Sequence, residues 1–269
     1  MEILTGTSGW NYSRWVGTFY PRGTTGEMML PLYSRIFQAV EIDSTFYGIP
    51  SRETVKKWIK ATPDNFLFCA KVPRAVTHES SFTGVDGVFN EFISTISLLG
   101  KKLGCLLFQL PPTVSYRNSG ESFMKFIRNI PENFAYAVEF RNSDWYNSII
   151  LEEMRKRNIS VAWSDNPHTP DFHSLTARNI YMRLVGDRSI SEDSFGKITV
   201  ERSADLKKWA SRILEYGDDV DRALVFSNNH YAGFGPATAR MFQEFAGIRP
   251  AGWEKMLPDS RGGNQTTLF

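Results

Sequence analysis

Within CLLFQL at Cys105–Leu110, Cys105–Phe108 is a short apolar run that does not alternate and that stops at an amide, Gln109. A strand of this kind buries both faces, the environment of a parallel sheet covered by helices. Seven more runs have the same form: Ile3–Thr7, Ala39–Ile42, Phe66–Ala70, Tyr136–Val138, Ser160–Trp163, Ile180–Met182 and Ala223–Phe226. Polar side chains stand at or just after their ends: Glu41 and Asp43, Lys71, Glu139 and Arg141, Asp165, Arg183, and Asn228 with Asn229. Eight strands with helices between them predict an α/β chain folded as a single (β/α)8 barrel of the TIM type. Such barrels build their sites at the carboxyl ends of the strands.

The segments between the runs carry helical stripes. Ser51 is placed to cap a helix bearing Val55, Trp58 and Ile59 on one face. Val85, Val88, Phe89, Phe92, Ile96 and Leu99 recur at three-and-four spacing, as do Phe123, Phe126, Ile127 and Ile130. Ile150, Leu151 and Met154 follow, then Leu206, Trp209 and Ile213, then Ala237, Met241, Phe242 and Phe245. The sixth βα unit is irregular. SDNPHTPDFHSLTARN lies between Trp163 and Ile180, holds two prolines and has no stripe. The segment from Val185 to Ser203 is also polar, and loops this long are commonly functional.

A chain of 269 residues fits one barrel, which needs about 250. No linker composition divides it. We therefore read residues 1–250 as one β/α-barrel domain and 251–269 as a carboxyl-terminal tail. With 42% hydrophobic and 14% aromatic residues the chain can bury a large core, which excludes intrinsic disorder. The 31 basic and 29 acidic residues leave a net charge of +2, too balanced to indicate nucleic acid or membrane as a partner. Cys69 and Cys105 both fall inside strand runs and read as buried reduced thiols. MEILTGTSGW enters a strand without a signal-peptide pattern, and no apolar run approaches the roughly 18 residues of a membrane span. A cytoplasmic protein is expected.

Several stretches together resemble one family. They are GTSGWNYSRWVGTFYP at Gly6–Pro21, VEIDSTFYGIP at Val40–Pro50, FCAKVPRAVTH at Phe68–His78 and LLFQLPPT at Leu106–Thr113. AVEFRNSDW at Ala137–Trp145, YMRLVG at Tyr181–Gly186 and FSNNHYAGFGPATA at Phe226–Ala239 complete the set. In this order they are similar to the YecE-like family, also called domain of unknown function 72. The resemblance implies a β/α-barrel fold and no particular activity. One motif departs from it: Val185 stands where the family pattern usually has a histidine before the glycine.

The chemistry must come from the residues themselves. Glu41, Glu139 and Asp165 are the candidate catalytic carboxylates. Paired carboxylates share acid and base work, as in glycoside hydrolysis, or hold a divalent metal. Lys71, Arg141 and Arg183 are candidate binders of a carboxylate or phosphate, and Gln109, Asn228 and Asn229 can orient hydroxyls. Trp10, Phe46, Tyr47, Trp145 and Tyr231 offer flat walls for a sugar or a base. The same charges can also pair among themselves, Glu139 with Arg141 or Glu41 with Lys71. Asp165 and His168 have a spacing compatible with one metal ion. There is no GxGxxG, Walker loop, HExxH, GxSxG or CxxC.

The chain ends in QTTLF after the polar stretch Asp259–Asn264. Gln265, Leu268 and Phe269 resemble in part the short peptide with which replication and repair proteins hook a sliding clamp, a mode of groove capture. Three functions fit. The first is a hydrolase-like enzyme acting on a phosphate- or sugar-containing substrate at the barrel mouth. The second is a non-catalytic binder of an anionic ligand. The third is a clamp-tethered accessory or nuclease-like protein in DNA metabolism, with nucleic acid as a partner.

Overall fold

The computed structural model describes residues 1–167 and 169–257. The strands are β1 (Glu2–Thr7), β2 (Ala39–Ile42), β3 (Leu67–Lys71), β4 (Leu103–Gln109) and β5 (Tyr136–Glu139), then β6 (Ser160–Val161), β7 (Trp163–Asp165), β8 (Asn179–Leu184) and β9 (Arg222–Ser227). The helices are α1 (Gly26–Tyr33), α2 (Arg52–Lys60), α3 (Asp86–Ile96), α4 (Tyr116–Asn129), α5 (Ser148–Lys156), α6 (Ser203–Leu214), α7 (Asn229–Ala232) and α8 (Gly235–Phe245). Strand and helix alternate over most of the chain, and each pairing within the sheets is parallel.

The fold is mixed α/β, built on two parallel sheets: β1-β9-β8-β7 and β2-β3-β4-β5-β6. The single continuous ring expected from the sequence is not formed by these ladders. Two seams divide it. At the first, the Tyr33 hydroxyl sits between β1 and β2, accepting from Thr7 N at 2.8 Å and donating to the Ala39 carbonyl at 3.1 Å. Gly6 makes that approach feasible, since a Cβ there would lie 2.0 Å from the Ala39 oxygen. Beyond it, a single bridge pairs Ser8 with Glu41. At the second seam Ala162 separates β6, which pairs with β5, from β7, which pairs with β8.

Parity sorts the side chains. Phe68, Leu106, Phe108 and Val138 pack beneath the helices around the five-stranded sheet, and Trp163, Met182, Ala223 and Val225 do so with α6 and α8. The opposite faces of both sheets share one core: Leu4, Ala39, Leu67, Cys69, Cys105, Leu107, Ala137, Ala162, Tyr181, Leu224 and Phe226. Both cysteines are buried there as free thiols.

The helices follow their stripes. Ser51 caps α2 by accepting from Thr54 N at 3.1 Å. The described residues between Asp165 and Asn179 contain no helix. The expected tail is docked at its start: Trp253 is buried against Phe19 and Phe234, and its Nε1 donates to the Thr18 carbonyl at 3.1 Å. Gln265, Leu268, Phe269 and His168 lie outside the described residues. Among the described residues, no helix is long and apolar enough to cross a membrane.

Candidate active site at the carboxyl ends of the strands

Two residues beyond each of six shared-core positions the chain turns polar. Ala39 leads to Glu41, Cys69 to Lys71, Leu107 to Gln109, Ala137 to Glu139, Ala162 to Ser164 and Tyr181 to Arg183, and all six are buried. Side chains two apart on a strand share a face, so these residues cap the shared core as one polar layer.

Arg183 is its hub. Nε donates to Glu41 Oε2 at 2.8 Å and Nη2 to Glu41 Oε1 at 2.7 Å, a fork-on-carboxylate pair. Nη1 donates to Glu139 Oε2 and, at 3.1 Å, to Gln109 Oε1. Glu41 also accepts from the Ser8 hydroxyl and the Tyr181 hydroxyl, both at 2.8 Å. Glu139 Oε1 accepts from Arg141 Nε at 2.6 Å. Burial by itself would raise the Glu139 carboxyl, but the charges and hydrogen bonds of Arg183 and Arg141 overcome it and hold it at about 2. Burial likewise opposes the charge on Arg183, and Glu139 and Glu41 more than compensate, keeping it charged.

A second pair sits at the rim. Lys71 Nζ donates to Asp43 Oδ1 at 2.9 Å and lies 5.0 Å from the centre of the Phe46 ring. The Asp43 side chain keeps 30% of its surface exposed and that of Arg141 keeps 15%. Among the described residues, Nη1 and Nη2 of Arg141 have no hydrogen-bond partner. Tyr12 closes one side with its hydroxyl on the Ser8 carbonyl at 2.7 Å, and burial, then Asp43 and Glu41, push that phenol up.

Of the sequence candidates, Glu41, Lys71, Gln109, Glu139, Arg141 and Arg183 are brought together. The expected Glu139–Arg141 pair forms, whereas Lys71 pairs with Asp43 and not with Glu41. Asp165 is not part of the group. It shares the outward face of β7 with Trp163, and its Oδ2 accepts from Trp209 Nε1 at 2.8 Å and from the Tyr231 hydroxyl at 2.7 Å. Asn228 caps α7, accepting from His230 N at 3.0 Å. Asn229 Oδ1 accepts from Trp15 Nε1 at 3.1 Å and Gly235 N at 2.9 Å, so both amides tie loops together. Trp145 is core, stacked on Phe140 at 5.0 Å with Nε1 on the Val114 carbonyl. Trp10 is half-buried edge-on to Trp58, and Tyr47 stands 76% exposed beside Phe46. Among the described residues, no group of three or more His, Cys, Asp or Glu side chains is gathered as for a metal ion.

Ser8, Tyr181 and His78 are members or neighbours of the site that the run-end reading did not select. Tyr181 was legible by parity, lying two residues before Arg183. Ser8 was legible too, standing directly after the run Ile3–Thr7, whereas His78 lies well beyond the end of β3 and only its tertiary contact with Phe46 places it.

A family model described as "Protein of unknown function DUF72" matches residues 4–261. The chain belongs to this family. It is 26% identical over 216 residues to the UPF0759 protein YecE of Escherichia coli K12, covering 71% of this chain and 76% of that one. It is 29% identical over 167 residues to the UPF0759 protein YunF of Bacillus subtilis, covering 60% and 58%. Among solved structures, a DUF72 family protein of Thermotoga maritima superposes with a TM-score of 0.77 at 24% identity, covering 91% of this chain and 98% of that one. One from Enterococcus faecalis gives 0.73 at 20% identity, covering 92% and 98%. These likenesses bear on the fold.

Proposed function

We propose that this DUF72 protein is an enzyme that acts on a small phosphate- or sugar-phosphate-type anion, bound where the carboxyl ends of its strands converge. The two sheets are read as the halves of one β/α barrel. Their shared core and the Ser8–Glu41 bridge support that reading. The observation that carries the function is the pair of spare Nη groups on Arg141, at the same strand ends as a Lys71 ammonium whose hydrogen bond to Asp43 uses one of its protons. Donors held in a mostly buried mouth, unspent on the protein, suit an oxyanion.

The roles divide by exposure. Arg183, Glu41 and Glu139 form a fixed frame whose hydrogen bonds are spent on each other and on Ser8, Tyr181, Gln109 and Arg141. Glu139, held as a carboxylate by two arginines, supplies field and orientation to Arg141 rather than a proton. Asp43, partly exposed and bound to Lys71, is the carboxylate free to take a proton from an attacking water, so hydrolysis is the reaction class favoured here. Asp165 has no part in it.

The test is a thermal-shift and calorimetric panel of phosphate, sulfate, sugar phosphates and short oligonucleotides on the wild type and on Arg141→Ala. A ligand at 100 times its Kd adds about 2.7 kcal/mol. An anion-induced shift that Arg141→Ala removes supports the reading. An unchanged shift, or none with any anion, rejects it. Binding without product from any phosphate ester would favour the non-catalytic ligand binder.

For the tail, the QTTLF ending favours a sliding clamp as partner. Capture of a sliding clamp by the full chain should be lost when Gln265–Phe269 is deleted, and capture that survives deletion ends the idea.

A further inference from the structure

The mouth is electrically neutral as built. Glu41, Asp43 and Glu139 face Lys71, Arg141 and Arg183, three charges of each sign. A dianion entering this mostly buried place brings charge with no counter-charge, and an uncompensated buried charge is costly. A proton taken up nearby would remove part of that cost.

A group able to hold it stands beside the rim. His78 is the next-to-last residue of the wide helical turn Ala75–Glu79 that follows β3. Its ring is half-buried and meets the Phe46 ring edge-on, with centroids 4.9 Å apart and planes at 81°. Phe46 is the ring whose centre lies 5.0 Å from the Lys71 ammonium. One face of the rim thus holds Lys71, Phe46 and His78 in contact. His78 Nδ1 lies 2.8 Å from the Thr77 hydroxyl. The charges bearing on the ring are Arg141 beyond β5, Lys71 at the end of β3, and Arg74 at the start of its own turn. Each has its own carboxylate: Glu139, Asp43 and, at 3.0 Å, Glu79. Burial first, then Arg141, Arg74 and Lys71, lower the free imidazole to about 4, so it is neutral while the mouth is empty.

We propose that His78 takes up one proton from solvent together with an oxyanion bound at the mouth, and in that charged form donates a hydrogen bond to it. The inference rests on the reading of the mouth as an anion site. An anion between Arg141 and Lys71 offsets the repulsion that keeps the ring neutral, so its proton affinity rises on binding. By linkage, anion affinity then rises as pH falls below the bound-state value and is flat above it.

Inorganic sulfate is the probe, because it stays fully ionised across the range and any pH dependence belongs to the protein. Calorimetric titrations of the full chain between about pH 5 and 7.5, in buffers of different ionisation enthalpy, count the protons directly. We expect affinity to rise toward tenfold per pH unit on the acid side, with close to one proton taken up per sulfate. His78→Gln should flatten the profile and leave the weaker, pH-independent binding. The proton count on the wild type stands even if that variant folds poorly. Sulfate binding that Arg141→Ala abolishes, but that takes up no proton and keeps its pH profile in His78→Gln, overturns the role of His78 and leaves the anion site intact. No sulfate binding, or binding indifferent to Arg141→Ala, overturns the site itself and this inference with it.

Discussion

Arg183 shows how one side chain can define a site without serving as its free hand. Its donors are committed to Glu41, Glu139 and Gln109, and it is almost wholly buried. Arg183→Ala would leave two carboxylates buried without their main counter-charge, a loss of about 3–5 kcal/mol. Urea unfolding checks this, and a change below about 1 kcal/mol would mean the pair is not buried in solution. Arg141→Ala should cost far less stability and nearly all anion binding. Asp165→Ala should do the reverse. It strands the Trp209 and Tyr231 donors, costing about 1–3 kcal/mol, while sulfate affinity stays unchanged. A loss of sulfate binding in that variant would return Asp165 to the mouth. The difference between Asp165 and its neighbours is one position of strand parity. Ala162 faces the shared core, so Ser164 does too, and Asp165 turns outward with Trp163. A polar residue at a run's end names the end of the strand but not the face, and only the inward run-end residues reached the site.

At the level of elements, the apolar runs and stripes marked strands and helices because burial demands them. The cap at Ser51 was also visible, since an N-cap is a local hydrogen bond. The seam between β1 and β2 was not. It depends on a tyrosine hydroxyl from α1 reaching between two strands that are far apart in sequence. Tyr33→Phe removes a group that satisfies both the Thr7 N–H and the Ala39 carbonyl, so we expect a loss of about 1–3 kcal/mol in chemical denaturation. A neutral result would show that water or a direct strand bond replaces it. Gly6→Ala is the harsher change, because its methyl would meet backbone. The break at Ala162 likewise has no sequence marker. One residue satisfies β5 on one side while the next run turns to β8.

Over the whole molecule, acid should weaken the fold in two stages. His78 is lowered to about 4 in the folded chain against an ordinary 6.5. The unfolded chain therefore binds its proton first, and stability falls as pH drops from about 6.5 toward 4. Glu139 is held at about 2 against 4.5, so its contribution is complete above 4.5 and is lost as pH falls toward 2. A Tm-against-pH profile should show both stages, with the first missing in His78→Gln and diminished by saturating sulfate. A flat profile between about pH 6.5 and 4.5 would rule out the folded-state neutrality of His78.

The sequence by itself determined that this chain alternates strands and helices, that its sheets are parallel and covered, and that polar groups gather at one end of them. Those properties follow from local periodicity and burial, which each segment expresses alone. Only the tertiary structure decided which groups meet: that Arg183 takes Glu41 and Glu139, that Lys71 takes Asp43, that Asp165 belongs to Trp209 and Tyr231, and that His78 joins the rim. Pairing among charges depends on distance through space and on the face each strand presents. Neither quantity is written in any one stretch of chain.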